Sequence, residues 1–203
     1  MRPPPCPPPR DVSAGRYAGV LLLFATQRFI ELLYSERNER QIHRRQHDAP
    51  QAGRSVWGGI AAVNLGLFTL PVLERVWRRR PSPRPVAALG WAAAIAAVAL
   101  RLSVIASLRE SWNVRAMVPS DLRVVDRGPY RFIRHPNYVA LGLEFAGLPL
   151  IGGAYLSAVG LSLANGLLLR RRIIEEEALL NAIPTYKERM ASKPRFVPRL
   201  IGR

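Results

Sequence analysis

At 203 residues the chain has room for one compact unit, so any membrane spans and any site must share a single domain. Its 30 Lys and Arg against 14 Asp and Glu give a formal charge of +16, which alone fits either a nucleic acid or an anionic membrane surface. A nucleic-acid partner is not expected, because Lys occurs only at Lys187 and Lys193 and the basic residues fall between long apolar runs, with only Arg28 and Arg101 well inside one. The lone Cys6 excludes an intramolecular disulfide and a cysteine-built metal site, and no metal is expected.

In chain order, Met1–Arg10 carries six prolines and lacks the apolar core of a signal peptide, so residues 1–16 are expected as a disordered tail before a single membrane domain over 17–203. A first span is expected near 17–34, interrupted by Gln27, Arg28 and Glu31 and followed by the charged stretch Ser35–Arg45. A second lies near 56–73, with Asn64 its only strongly polar side chain, and is closed by Glu74, Arg75 and the run Arg78–Arg80. After a turn at Pro81–Pro85 comes a third, near 86–108, where Arg101 is the one charge. Residues 109–137 are too charged to cross a membrane yet rich in Val, Tyr, Phe and Trp, and function is expected there. Pro149, Gly152 and Gly153 divide the next apolar stretch into two short or tilted spans, near 138–151 and 154–169. An amphipathic helix over Arg170–Ala182 and a Pro-bounded tail, Lys193–Pro198, at the membrane interface complete the chain.

The expected fold is therefore an all-α integral membrane protein of about five transmembrane helices, with a C-terminal helical hairpin. An outside N-terminus and a cytoplasmic C-terminus put 20 basic residues in the inner segments and 8 in the outer ones. The loop 74–85, with five Arg on the outer side, is the misfit in this topology.

Two segments carry chemistry. Arg127-Gly-Pro-Tyr-Arg-Phe-Ile-Arg-His-Pro-Asn-Tyr138 offers an imidazole, two phenols and backbone donors at the start of a helix, with Pro136 suited to its first turn. Such a setting can receive the carboxylate of an amino-acid-like ligand, with Arg131 and Arg134 adding positive charge. A basic, aromatic belt at the membrane surface accounts for the same composition without a ligand. The second segment, Arg172-Ile-Ile-Glu-Glu-Glu177, sets Arg172 and Glu176 four residues apart on one helical face. The plain reading is a surface ion pair worth about 0.3–0.5 kcal/mol. Three consecutive carboxylates nevertheless require cationic partners, either on a ligand or among the Arg side chains of the first segment.

Together the two segments resemble the isoprenylcysteine carboxyl methyltransferases and their bacterial relatives. The matching residues are Gly128, Tyr130, Arg134, His135, Pro136 and Tyr138, then a helical hairpin, then Arg172, Glu175, Glu176, Tyr186 and Pro198. The resemblance covers roughly residues 115–200, with a looser likeness at Glu31–Arg40. It implies S-adenosylmethionine as cofactor, held in a cytoplasmic segment by the strand-like stretch Leu122, Arg123, Val124, Val125 and by Tyr130, His135, Pro136, Asn137 and Tyr138. Leu122 stands where some members carry His, and Arg115 aligns near a more distant pocket position. Arg172 and Glu176 are implied as the catalytic pair. A carboxylate acceptor would be held by Arg172 with Glu176 orienting it, whereas a phenol or enol would give its proton to Glu176 or His135.

The function so implied is methyl transfer to a lipophilic acceptor, a prenylcysteine-type carboxylate or a long-chain phenol or pyrone hydroxyl, among the lipids of a bacterial inner membrane. The alternative is a non-catalytic polytopic scaffold or assembly protein with a basic cytoplasmic face, in which Arg172 and Glu176 would tolerate Ala. A transporter is disfavoured by the scarcity of charges within the spans.

Overall fold

The computed structural model describes residues 12–198, and within them the chain is helical: α1 Val12–Arg45, α2 Trp57–Arg78, α3 Arg84–Leu108, α4 Pro136–Gly152, α5 Tyr155–Asn181 and α6 Pro184–Met190. No strand occurs among the described residues, which pair as β only at an isolated Gln51–Met117 bridge. Proline marks the starts. It sits in the first turn of α3, α4 and α6, where its missing N–H has no helical partner to lose. Gly153, at φ 75°, ends α4 in the left-handed region and turns its N–H back to the carbonyls of Leu150 and Pro149.

Three boundaries differ from expectation. Residues 1–11 of the expected tail lie outside the described residues, but Val12–Arg16 already belong to α1. That helix also runs eleven residues past Tyr34, to Arg45, because its charged end packs against the 109–135 segment rather than standing free. The amphipathic stretch after the hairpin is no separate helix, since α5 continues unbroken through it to Asn181. Leu122–Val125 lacks a strand partner and runs as irregular backbone.

Helices α1, α2 and α3 are each long and apolar enough to cross a membrane. At 17 residues α4 is about 25 Å long, and α5 is apolar only until Arg170; the two form the expected hairpin. Around the helices a band of large apolar side chains faces outward, including Leu22, Phe29, Leu65, Leu89, Ile95, Leu163 and Leu167. A water-exposed surface does not sustain so broad a patch, whereas hydrocarbon does.

Inside, Leu21, Leu67, Ala94, Phe145 and Leu148 are buried where the helices meet. Helices α3 and α4 cross through glycine. A Cβ at Gly90 would come within 2.8 Å of the Gly147 carbonyl oxygen, and one at Gly147 within 2.9 Å of that of Gly90. Glu74 closes the far end by accepting the N–H groups of Leu156 (3.0 Å) and Ser157 (2.7 Å), which the first turn of α5 leaves unpaired.

The two tight turns, α2 to α3 and α4 to α5, lie at that far end. The longer segments 46–56, 109–135 and 182–198 all gather at the other, joined by the bonds described next.

Candidate active site

The end bearing the longer segments is built from α1 upward. Asn38 is buried and donates from Nδ2 to the carbonyls of Arg109 (3.1 Å) and Trp112 (2.8 Å), fixing the exit from α3. Ser35 Oγ accepts the Val114 N–H at 2.7 Å and donates to Glu39 at 2.7 Å. Asn113 closes the next turn through the Met117 N–H at 2.7 Å. Backbone bonds Ala52 to Ala116 and Val118 to Pro50 then strap the α1–α2 loop onto the same stretch. These polar side chains replace the helical ladder that an irregular segment lacks.

The three glutamates of α5 point three ways, as successive positions 100° apart on a helix must. Glu175 turns to the strap and accepts the Gly53 N–H at 2.6 Å and the Ser55 hydroxyl at 3.3 Å. Gly53 holds φ 73°, and a Cβ there would come within 2.8 Å of Arg172 Cγ. Glu177 is buried among the His135 imidazole, with Nε2 at 3.0 Å, and two cations, Arg134 at 3.3 Å and Arg195 at 2.6 Å. Burial alone would raise its carboxyl, but hydrogen bonds from Arg195 and His135 and the charges of Arg134 and His135 outweigh that and hold it below the usual range. The Arg134 and His135 N–H groups also bond the carbonyls of Pro194 and Arg195, so the C-terminal strand of chain lies over the His-Pro step.

Glu176 is the one that faces inward. Its Oε2 accepts the Tyr138 hydroxyl, and the Arg172 guanidinium lies over the Tyr138 ring, 5.8 Å from its centre, while donating to the Val114 carbonyl. Among the described residues no ion pair joins Arg172 to Glu176. Tyr138 stands between them instead, so the surface pair expected from their spacing is not formed.

These groups surround one cavity. Its lining includes Leu122, Arg123, Val124, Val125, Tyr130, His135, Asn137, Tyr138, Arg172 and Glu176, all expected from sequence. Pro136 is fully buried in the first turn of α4 and does not line it. Arg115 turns away to Glu39 (3.2 Å) and the Trp57 ring. His135 is committed to Glu177, not to Glu176. Trp112, Asn113 and Met117 on one wall, and Leu180 and Met190 on another, carried no motif that marked them, whereas Tyr186 beside them belongs to the resemblance.

Three buried polar atoms of the lining residues have no hydrogen-bond partner, Arg134 Nε, Arg172 Nε and Tyr186 Oη. Burial pushes the Tyr186 phenol up to about 12, with Arg134 opposing and Glu176 and Glu177 adding. Burial, with Glu176 and Tyr186, raises Tyr130 as well. Both phenols are therefore neutral near pH 7 and can donate. Unpartnered donors, phenol faces and one carboxylate in a common cavity fit a ligand that carries both a cation and hydrogen-bond acceptors. S-adenosylmethionine is such a ligand. Among the described residues no three His, Cys, Asp or Glu side chains are grouped to hold a metal ion.

Fold and site together define a helical membrane protein with a polar cavity where its helices end. Residues 88–182 match the model of the Isoprenylcysteine carboxyl methyltransferase (ICMT) family. The match contains the crossing of α3 and α4, the His-Pro step and the glutamates of α5, so the likeness read from the sequence is borne out. A protein of Bacillus subtilis (strain 168), called Uncharacterized protein YpbQ, is 28% identical over 166 residues, covering 79% of this chain and 94% of its own. The match suggests a membrane methyltransferase dependent on S-adenosylmethionine.

Proposed function

We propose that the protein transfers a methyl group from S-adenosylmethionine to a lipophilic acceptor, a prenylcysteine-type carboxylate or a long-chain phenol or pyrone hydroxyl. The observation that carries this reading is the cavity itself, in which Tyr138, Arg172 and Glu176 meet among lining residues that hold three unpartnered buried polar atoms. Residues 17–203 act as one domain, with α4 and α5 crossing the membrane beside the first three helices. The N-terminus lies outside and the C-terminus and cavity on the cytoplasmic side of a bacterial inner membrane, where soluble cofactor is at hand.

The cofactor, when bound, supplies a methyl carbon already activated by its sulfonium. What remains for the protein is to align, to exclude water and to hold charge. Tyr130, Tyr138 and the 122–125 backbone form the walls against which it rests, and His135, pinned by Glu177, fixes the turn that delivers Asn137 and Tyr138. Glu176 places a carboxylate beside the cation-accepting faces. Arg172 holds a carboxylate acceptor by charge-assisted hydrogen bonds; for a hydroxyl acceptor, Glu176 takes the proton.

A lipid acceptor is supported by a second, largely apolar groove between α4 and α5. It is lined by Val139, Gly142, Phe145, Leu169 and Ile173 and reaches Tyr138 at its polar end. Tyr138 thus borders both spaces, as a residue between cofactor and lipid should.

Calorimetry of the detergent-purified chain with S-adenosylmethionine tests the reading. Micromolar binding is expected, with a loss of at least about tenfold in Glu176→Gln and Tyr138→Phe at unchanged melting temperature, because each removes one side of the same contact. A folded wild type that binds no cofactor would sink the proposal and favour the scaffold.

A further inference from the structure

Four ionisable side chains meet within the apolar layer, away from the cavity. Arg101 of α3 is 1% exposed and lies 2.6 Å from Glu144 of α4, itself 1% exposed. Arg28 of α1 reaches the same Glu144 oxygen at 2.5 Å, and Glu31 lies 3.7 Å from Arg28 and 3.6 Å from Arg101. Two cations and two carboxylates balance, which is the condition for burying charge at all. Apolar helix contacts would hold α1, α3 and α4 together without this cost. Ionisable groups retained at such depth invite a functional account.

Two bonds leave the cluster: Gln27 Nε2 donates to Glu31 Oε1 at 3.0 Å, and the other runs to the cavity. Arg101 Nη1 donates to Asn137 Oδ1 at 3.2 Å, and Asn137 lines the cavity. A guanidinium has donors only, so the carboxamide must turn its oxygen toward Arg101 whichever way the amide is assigned. Its Nδ2 group then has no acceptor among the described residues. Arg101 is anchored by the bond from its Nη2 to Glu144 at 2.6 Å, with the Glu31 carboxylate 3.6 Å from its Nε.

We infer that Arg101 is a positioning residue: anchored by Glu144, it fixes the Asn137 carboxamide so that its amino group is presented to the cavity and donates to an acceptor atom of the cofactor. The inference rests on the methyltransferase reading, and it assigns the intramembrane charges to cofactor recognition rather than to helix association. Without Arg101 the amide turns freely, and half of its orientations offer an oxygen where a donor is required.

The test is a cycle of variants in the full chain, read by calorimetry with S-adenosylmethionine. Asn137→Ala is expected to weaken binding about tenfold. The paired change R101L with E144L, which leaves Arg28 and Glu31 to balance one another, is expected to weaken it by a similar factor. The triple variant should be no weaker than Asn137→Ala, since Arg101 acts only through Asn137. Affinity unchanged in the paired variant, or losses that add in full in the triple, would overturn the inference while leaving the methyltransferase reading standing. A wild type that binds no cofactor overturns both.

Asn137→Asp guards against a paired variant that does not fold. It leaves the four charges in place and still accepts from Arg101, but it offers the cavity an oxygen. Binding weakened by at least about tenfold supports the inference, and wild-type affinity contradicts it.

Discussion

Two buried charge clusters, about 9 Å apart along α4 from Glu144 to Tyr138, solve the same problem in opposite ways. In the apolar layer Arg28, Glu31, Arg101 and Glu144 close on one another, with Gln27 donating to Glu31, and one hydrogen bond runs to the cavity at Asn137. At the end of α5 the carboxylates diverge: Glu175 is spent on a backbone strap, Glu177 on two arginines and an imidazole, and Glu176 is left facing a cavity through Tyr138. A closed cluster can stabilise or position. Only an open one can meet a ligand, because a charge already fully paired has nothing to gain from it.

The sharpest way to break the comparison is to remove one member of the closed cluster. Glu144→Ala leaves Arg28 and Arg101 facing each other with only Glu31 between them. It is expected to cost about 3–5 kcal/mol, seen as a large fall in melting temperature in detergent, whereas Glu176→Gln should leave stability nearly unchanged. A mild Glu144→Ala would show that water already reaches the cluster.

Glu177 should fall between these extremes and give it away by pH. Its carboxyl is held below the ordinary 4.5, so it contributes stability that is complete above that value and is lost as pH falls through the lower, folded one. The wild type should therefore lose melting temperature below about pH 4.5, and Glu177→Gln, about 1–3 kcal/mol less stable at neutral pH, should lose less over the same window. Parallel curves would mean that other carboxylates dominate the acid limb.

How far each cluster could be read from sequence follows from the range of the interactions that build it. Long apolar runs announced α1 to α3, and Pro149 with Gly152 and Gly153 announced the hairpin, because hydropathy and turn chemistry are local. The His-Pro step and the glutamate run marked most of the cavity for the same reason. What stayed hidden depends on residues distant in sequence. Nothing local says that α1 continues to Arg45, since Ser35 and Asn38 are satisfied by backbone more than 70 residues away. Glu144 could have been found, as one carboxylate in an apolar helix implies an arginine in another, and Arg101 was in view. That His135 belongs to Glu177, and that Gly53 straps Glu175, are facts of packing alone.

Gly53 offers a smaller and more local perturbation. Gly53→Ala forces a side chain into the left-handed region and against Arg172, and should cost about 1–2 kcal/mol. Because the displaced group is Arg172, methyl transfer should fall by more than melting temperature predicts. Equal falls in the two would place Arg172 outside the reacting site.

The smallest change expected comes from the most drastic substitution. Replacing Arg101 and Glu144 together by Leu removes two charges, but it removes them as a pair and leaves Arg28 with Glu31. Substituting apolar residues of similar volume for a whole buried pair is often neutral, so stability should stay within about 1 kcal/mol of wild type, although Glu144→Ala alone is severe. The two results together separate the damage done by an unpaired charge from the worth of the pair. If the paired variant is as unstable as Glu144→Ala, the cluster is itself the fastening of α1, α3 and α4. If it is stable, the helices are held by packing such as the Gly90–Gly147 crossing, and the charges need a reason other than stability for being there.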